Sequence, residues 1–467
     1  MIEDKPLEAL AKDVRNALKN WYTIEDANQH LLDYLLLVHE KRKQMGMSNP
    51  ASLRFATNRV IQDGIHAIEG HDAQAAAIIE QRFIEKEQIR PLSLQFEVNE
   101  DKFKRMQRAA ILLLASTIQE QEKKLREQRV TTLESQLETK NYTRLFGIDA
   151  LADTLFRHLS DPNAHEIIML AGLGGIGKTS LANFVVRHII PRFYYESVVW
   201  VSVPSGKNGE QPNAVNRFNL IMHQLSSKLL PHLPSKTRPD QRQSELRQLL
   251  KQIPYLIVVD NLELPSDMSY LLSNLLELTA PGKFLLTSRT QPMGHAGVKS
   301  YVVNELSMAS SLALIRHHAQ EIGLTELVTA EDDALVPIFE EVGGNPYALK
   351  LVLGLAQTRS LPNILEGLQT SHGAGSDLYD KIFWEAWHSL SDAAQTTLTI
   401  MPLASEHGFL PEQILTFTEL SSDALWPAIN ELASRSLLEV KGTVWERRYT
   451  IHQLTKKFIQ SQIMKNE

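Results

Sequence analysis

Apolar positions in the first third of the chain recur at spacings of three and four, as in Leu31, Leu32, Leu35 and Leu36, the period of an amphipathic helix. After Pro6 only Pro50 and Pro91 interrupt that pattern, so residues 1–138 are expected to be almost wholly helical. From Gln119 to Lys140 charges crowd in, and Leu125, Val130, Leu133 and Leu137 leave only a thin apolar stripe, which predicts a solvated connecting helix. After Asn141 the period changes. Short apolar runs rich in β-branched residues alternate with helical stretches: EIIMLAG (166–172), ESVVWVSV (196–203), PYLIVVD (254–260), KFLLTSR (283–289) and KSYVVNEL (299–306). Runs of this kind, separated by helices, predict a parallel sheet covered on both faces. Helical periodicity returns from Ser307 to Asp377. Residues 378–467 hold several helices, a long one expected within Ser421–Leu438, and then LLEVKGTVWERRYTIH (437–452), which reads as a hairpin. Three helices and a wing predict a winged-helix unit. The expected class is therefore multidomain α/β: an all-α N-terminal domain (1–138), a parallel-sheet domain (139–306), a small helical domain (307–377) and a winged-helix domain (378–467).

The segment Gly172-Leu-Gly-Gly-Ile-Gly177-Lys178-Thr179 fits G-x-x-x-x-G-K-S/T and lies between the first predicted strand and the helix SLANFVVRHII. That strand–loop–helix context marks a P-loop and makes the parallel-sheet domain a P-loop NTPase domain. Gly172, Gly174, Gly175 and Gly177 let backbone N–H groups converge on phosphate oxygens, with Ile176 and Ser180 completing the loop and the helix start. Lys178 is placed to neutralise the β- and γ-phosphates, and Thr179 to put its hydroxyl on Mg²⁺. Asp260, at the end of LIVVD, is the second candidate Mg²⁺ ligand. Arg289, after KFLLTS, stands at a strand end from which a γ-phosphate is within reach; alone, it reads as a surface arginine. Lys178, Asp260 and Arg289 are the candidate catalytic groups, with ATP or ADP and Mg²⁺ as cofactors.

Further motifs follow in order. LFGID (145–149), SVVWVSV, LLTSRT, Gly343-Gly-Asn-Pro346-Tyr-Ala-Leu349 and Tyr449-Thr-Ile451-His452-Gln453-Leu454 together resemble the NB-ARC class of signal-transduction ATPases, of apoptosome and plant immune-receptor type. The resemblance spans roughly residues 142–460. It implies that Phe146 and Gly147 cup the adenine, that Pro346 packs on the nucleotide, that Arg289 senses the γ-phosphate, and that His452 reaches the β-phosphate in a closed ADP form. It also implies self-association in the ATP state and signalling through the N-terminal region. Three departures qualify this. Asn261 stands where many members have a second acid, and an amide cannot take a proton from water, so hydrolysis is expected to be slow unless Glu263 substitutes. Gln453 replaces the acid of the M-H-D segment. The sensor repeats that members usually carry after the winged helix are not in this sequence. A continuously cycling ATPase motor, or a DNA-binding regulator with a structural nucleotide, remain as rivals to the switch.

Within residues 73–116, a short helix (91–96), a turn (Glu97-Val98-Asn99) and a helix from Glu100 resemble the promoter-reading helix-turn-helix of sigma factors. Phe103, Met106, Ala110, Leu113 and Leu114 would form the apolar face of the last helix, and Lys104, Arg105 and Arg108 the opposite one, facing duplex DNA phosphates; an adaptor-protein surface is the even alternative. The adjacent His317 and His318 should point apart as a solvated pair, and Trp384 and Trp387 should be winged-helix core. Lysine and arginine number 48 against 55 acids, a net charge of −7, which argues against a uniformly basic nucleic-acid coat. There is no cysteine, so thiol catalysis, disulfides and thiolate metal sites are excluded. The charged N-terminus lacks a signal-peptide core, and no apolar run reaches the ~18 residues of a membrane helix. A cytoplasmic protein without membrane partners is expected.

Overall fold

The computed structural model describes residues 5–22, 32–46, 50–204, 213–231, 233, 238–262, 268–289, 295, 297–370, 378–388, 390–405, 407–435, 437–443 and 445–464. The chain forms two compact units, Met1–Ser135 with Ile190–Tyr194, and Gln136–Ile189 with Tyr195–Glu467.

Among its described residues the first unit contains helices and turns and no strand. Helices Leu7–Lys19, Leu36–Gln44, Pro50–Glu69, Ala73–Ile79 (extended by a π turn to Ile84) and Ile89–Gln95 precede a 36-residue helix, Glu100–Ser135. Leu18, Ile61, Ile79, Leu92, Phe103 and Leu114 are all fully buried in its core. Local chemistry sets the ends: Asp72 accepts from the Ala75 N–H at 2.9 Å, and Asn99 accepts from the Lys102 N–H at 2.8 Å to start the long helix. Two expectations fail here. Leu113 is 38% exposed, and Ile111 takes the core place assigned to it. The charge-dense stretch after Gln119 is not simply solvated, because Glu122 is buried. Its carboxylate accepts from the N–H groups of Leu36 and Leu37 at 2.8 and 2.9 Å, satisfying the open N-terminus of a helix about 86 positions earlier, and it pairs with Arg126.

The second unit is built on a five-stranded parallel sheet in the order β2-β3-β4-β1-β5, with β1 Ile167–Ala171, β2 Ser197–Ser202, β3 Tyr255–Asp260, β4 Lys283–Ser288 and β5 Val298–Val302. Every residue of β1, β3 and β4 is buried, while β5 is a half-exposed edge. Alternate residues such as Met169, Ile257 and Leu286 pack with the helices Ala214–Leu229, Pro239–Gln252 and Met268–Leu276; the opposite face meets the helix Lys178–Ile189. Register Val259↔Leu286 brings the C-terminal ends of β3 and β4 level, and Ala171↔Ser288 does the same for β4 and β1. The buried Lys283 ammonium, at the start of β4, donates to the carbonyls of His158, Asp161 and Ala164 and so closes the C-terminus of the helix Asp149–Ser160.

From Leu312 to Ile463 a single apolar cluster joins the helices after β5 to the hairpin β6 (Glu439–Gly442) and β7 (Arg447–Thr450), paired antiparallel. The long helix expected within Ser421–Leu438 runs Ser422–Ser434, and Trp384 and Trp387 pack against the cluster. Gly354 sits in the helix Pro346–Ala356 where a Cβ would stand 2.6 Å from the Arg435 carbonyl oxygen. Alanine would gain about 1 kcal/mol of helix propensity there, but an overpacked contact with backbone costs about 1–3 kcal/mol. Gly354→Ala is therefore expected to lower the unfolding free energy by up to about 2 kcal/mol, measured by denaturant titration.

Candidate functional site

After the C-terminal ends of β1 and β3 the chain passes through positive-φ residues, Gly172, Gly175 and Gly177 after β1 and Asn261 after β3. The loop leaving β1 passes through Gly175 at φ +74°, where a Cβ would lie 2.8 Å from the side chain of Tyr347, so this position needs glycine for both conformation and space. The Lys178 ammonium donates to the carbonyls of Gly172 and Leu173 at 2.9 and 2.8 Å. Burial, the nearby Arg289 guanidinium and, in opposition, Asp260 leave its pKa pushed down to about 8. Thr179 donates its hydroxyl to Asp260 Oδ1 at 2.8 Å, and Thr287 of β4 donates to the same oxygen at 2.6 Å. Burial raises the Asp260 pKa, against those two hydroxyls and the Asn261 backbone N–H. A hydroxyl and a buried carboxylate at hydrogen-bond distance form an all-oxygen donor pair, which suits a hard divalent cation such as Mg²⁺. Ser180 is turned away from this pair and donates to Asn141.

A cavity of about 2020 Å³ opens over these ends, larger than the roughly 300–1,000 Å³ of ordinary small-ligand pockets. Phe146, Gly147, Gly174, Gly175, Ile176, Gly177, Lys178, Thr179, Ser180, Asp260, Arg289, Pro346 and His452 all border it. Of the predicted nucleotide set, Gly172 alone does not; it contributes its carbonyl to Lys178. Asn261 has φ +60°, donates its amide to the Val203 carbonyl at 2.9 Å and is thereby tied to the end of β2. Glu263, the alternative base, lies outside the described residues, as does the side chain of Gln453.

His452 begins the helix Gln453–Phe458, its Nδ1 accepting from the Leu454 N–H at 3.2 Å. That acceptor role puts the ring proton on Nε2. Burial, with Arg289, Lys178 and Lys350 nearby, pushes the pKa down to about 3, so the ring is neutral at physiological pH. It stacks on Tyr347 with centroids 3.9 Å apart, and the Tyr347 hydroxyl meets Thr455 at 2.6 Å.

The motif search missed several residues. Asn345 donates to the Gly174 carbonyl at 3.0 Å and accepts from the N–H groups of Tyr347 and Ala348. His317 and His318, expected to point apart into solvent, both converge on Glu321, at 3.4 and 3.0 Å. Helix positions three and four apart share a face, and the carboxylate captures both rings. Thr143 donates to the same carboxylate, and the Phe146 ring lies 5.5 Å from that of His317. Only the three- and four-residue spacing to Glu321 could have signalled this arrangement.

In the first unit, Lys104 and Arg108 border a smaller cavity; Arg105 does not, and Lys104 pairs with Asp101 at 3.5 Å. No helix among the described residues is long and apolar enough to cross a membrane.

Residues 148–321 match the family model described as the NB-ARC domain. Among curated proteins, the disease resistance protein RPP8 of Arabidopsis thaliana is 26% identical over 309 residues, which is 63% of this chain and 32% of that protein. The Arabidopsis disease resistance protein RPH8A is 27% identical over 274 residues, 56% and 28% of the two chains. The chain thus spans about a third or less of the length of these relatives. Among solved structures, a STAND protein with a tetratricopeptide repeat sensor from Pyrococcus horikoshii covers 70% of this chain and 44% of its own, with 16% identity and a TM-score of 0.44. The AMPPCP-bound DnaA of Aquifex aeolicus covers 70% and 98%, with 12% identity and a TM-score of 0.32.

The position of Lys178 generates a pH prediction. A phosphate beside the ammonium favours its charged form and raises its pKa above about 8. Nucleotide binding should therefore take up protons as pH rises past 8, and affinity should fall over the same range. Calorimetry in buffers of different ionisation enthalpy is expected to show this uptake in the wild type and not in Lys178→Arg, whose side chain stays charged.

Proposed function

With residues 148–321 an NB-ARC nucleotide-binding domain, we propose that the chain is an adenine-nucleotide switch, closed with ADP and open, self-associating, with ATP. One observation carries this reading. A neutral His452, from the segment after the hairpin, borders the same cleft as Lys178 and Arg289 of the sheet and is joined to the phosphate loop through Tyr347 and Asn345. A neutral imidazole with its proton on Nε2 is a hydrogen-bond donor to a β-phosphate that carries no desolvated charge of its own. Lys178 and Arg289 supply the charge, with Phe146, Gly147 and Pro346 around the base. Thr179 and Asp260 would hold Mg²⁺, which when bound adds charge neutralisation at the phosphates.

Moving such a switch from 1:99 to 99:1 needs about 5.5 kcal/mol of differential affinity. Loss of the His452 contact and gain of Arg289 on a γ-phosphate are the proposed sources. Asn261 supports slow hydrolysis on two grounds: an amide is no base, and its side chain is held by Val203. We place turnover well below the ~10 s⁻¹ enzyme median, which favours a switch over a cycling motor. The likeness to plant disease resistance proteins supports a role in defence signalling. We assign the output to residues 1–138, the helical segment ahead of the P-loop domain (139–306), with the segments 307–377 and 378–467 closing over the nucleotide.

Lys178→Ala is expected to abolish stabilisation by ADP and ATP, which at about 1,000 times Kd amounts to about 4 kcal/mol and is read as a melting shift. Equal shifts in wild type and variant would refute the nucleotide site. His452→Ala should speed ADP release more than it weakens ATP binding and increase the assembled fraction by light scattering. Unchanged ADP release would remove the latch from the mechanism.

A further inference from the structure

The first unit contains a second cavity, of about 460 Å³, within the size range of small-ligand pockets. Its rim is cationic on all sides: Arg15 and Lys19 from the first helix, Arg82 and Lys86 from the π turn and the loop after it, Lys104 and Arg108 from the long helix. These six lie as many as 93 positions apart in sequence, and no acidic side chain among the described residues lines the cavity with them. The chain as a whole carries a net charge of −7, so this is not a surplus of cations spread at random. Like charges gathered on one recess repel one another, and an anion in the recess relieves that repulsion.

Two of the polar side chains that line the cavity have unused hydrogen-bonding capacity. Gln107 lines it at 8% exposure, and its side-chain amide makes no hydrogen bond to a described residue. Arg82 uses one terminal nitrogen on the Glu87 carbonyl, while its Nε is buried with no hydrogen-bond partner among the described residues. Of the rim cations, Lys104 is in an ion pair, with Asp101 at 3.5 Å; Arg15, Lys19, Arg82, Lys86 and Arg108 pair with no carboxylate of a described residue. Phe83 and Leu18, both buried, add an apolar wall.

We propose that this cup binds a compact polyphosphate: a small molecule bearing two or more linked or clustered phosphates. The concave form decides against a duplex. A helix that enters a DNA groove presents its cations on a convex face, whereas here three segments surround a recess, and Arg105, exposed on the same long helix, is left outside it. Several cations can meet one multivalent anion at once only if that anion is small. The proposal is independent of the nucleotide switch, since it uses no residue of the second unit.

The test uses the full chain carrying Lys178→Ala, so that the phosphate loop does not compete, with sodium tripolyphosphate as the calorimetric probe. The variant Lys19→Gln/Lys86→Gln/Arg108→Gln removes three exposed cup cations; Lys102→Gln/Arg105→Gln removes two exposed cations outside it. Far-UV circular dichroism melts check that both remain folded, and single substitutions replace the triple one if it does not. The expected result is tripolyphosphate binding that weakens at least about tenfold in the cup variant and less than about twofold in the control. Equal affinity in the cup variant would overturn the proposal. So would a chain that ignores tripolyphosphate yet binds a 20-base-pair duplex through the cup cations, which would make this a nucleic-acid surface.

Discussion

The side-chain amide of Asn345 joins the phosphate loop to the start of the helix Pro346–Ala356. Its Nδ2 donates to the Gly174 carbonyl, while its Oδ1 caps the helix Pro346–Ala356 by accepting from Tyr347 and Ala348. At 2% exposure the amide has no water to replace either partner, so the loop, the cap and the helix position are coupled. Tyr347 leaves that cap directly to stack on His452 and reach Thr455, and Leu454 then packs against the positions of Gly174 and Gly175. The phosphate loop and the segment after the hairpin are thus linked through Asn345 and Tyr347. Packed cores respond to displacement by changing arrangement rather than by stretching, which is what a two-state device needs.

The electrostatics of the cleft are arranged around the same few groups. Burial and the Arg289 guanidinium lower the Lys178 pKa, and burial together with both cations keeps His452 neutral. Asp260, raised by burial yet held by two hydroxyls, is the acidic counterpart at the strand ends. Elsewhere in the cleft lining, burial pushes the Glu439 carboxyl up against Lys441 and Lys350, and the Lys350 ammonium down against Glu321 and Glu439. Burial also works against the Glu321 carboxylate, but hydrogen bonds from Thr143 and His318 hold it below its ordinary pKa.

Away from the cleft, buried charges are used to finish helices. Glu122 closes a helix N-terminus and Lys283 a helix C-terminus, each matching the sign of the macrodipole end it meets. Each joins parts of its own unit remote in sequence, 86 and about 120 positions apart. A charged side chain in these places is structural, although in sequence it is indistinguishable from a solvated one.

What the sequence determined by itself was local and periodic. The apolar runs marked β1, β3 and β4 most sharply, because strands buried on both faces have no polar alternation to blur them, whereas β5 is a half-exposed edge; the P-loop glycines and Lys178-Thr179 announced a phosphate site through backbone requirements that few other residues meet. The hairpin and the helix from Glu100 were legible for similar reasons. Tertiary structure alone decided which side chains met across long separations. Helical periodicity did not distinguish Leu113 from Ile111, because neighbouring positions on a helix differ in burial only once the partner helix is in place. Nothing in the sequence near Glu122 marked it as a cap for Leu36, nor did Asn345 announce its bond to Gly174. The basic cup is the same case: Lys104 and Arg108 stood out on one helix, but Arg15, Lys19, Arg82 and Lys86 joined them only through folding, since charge is additive in space and not along the chain.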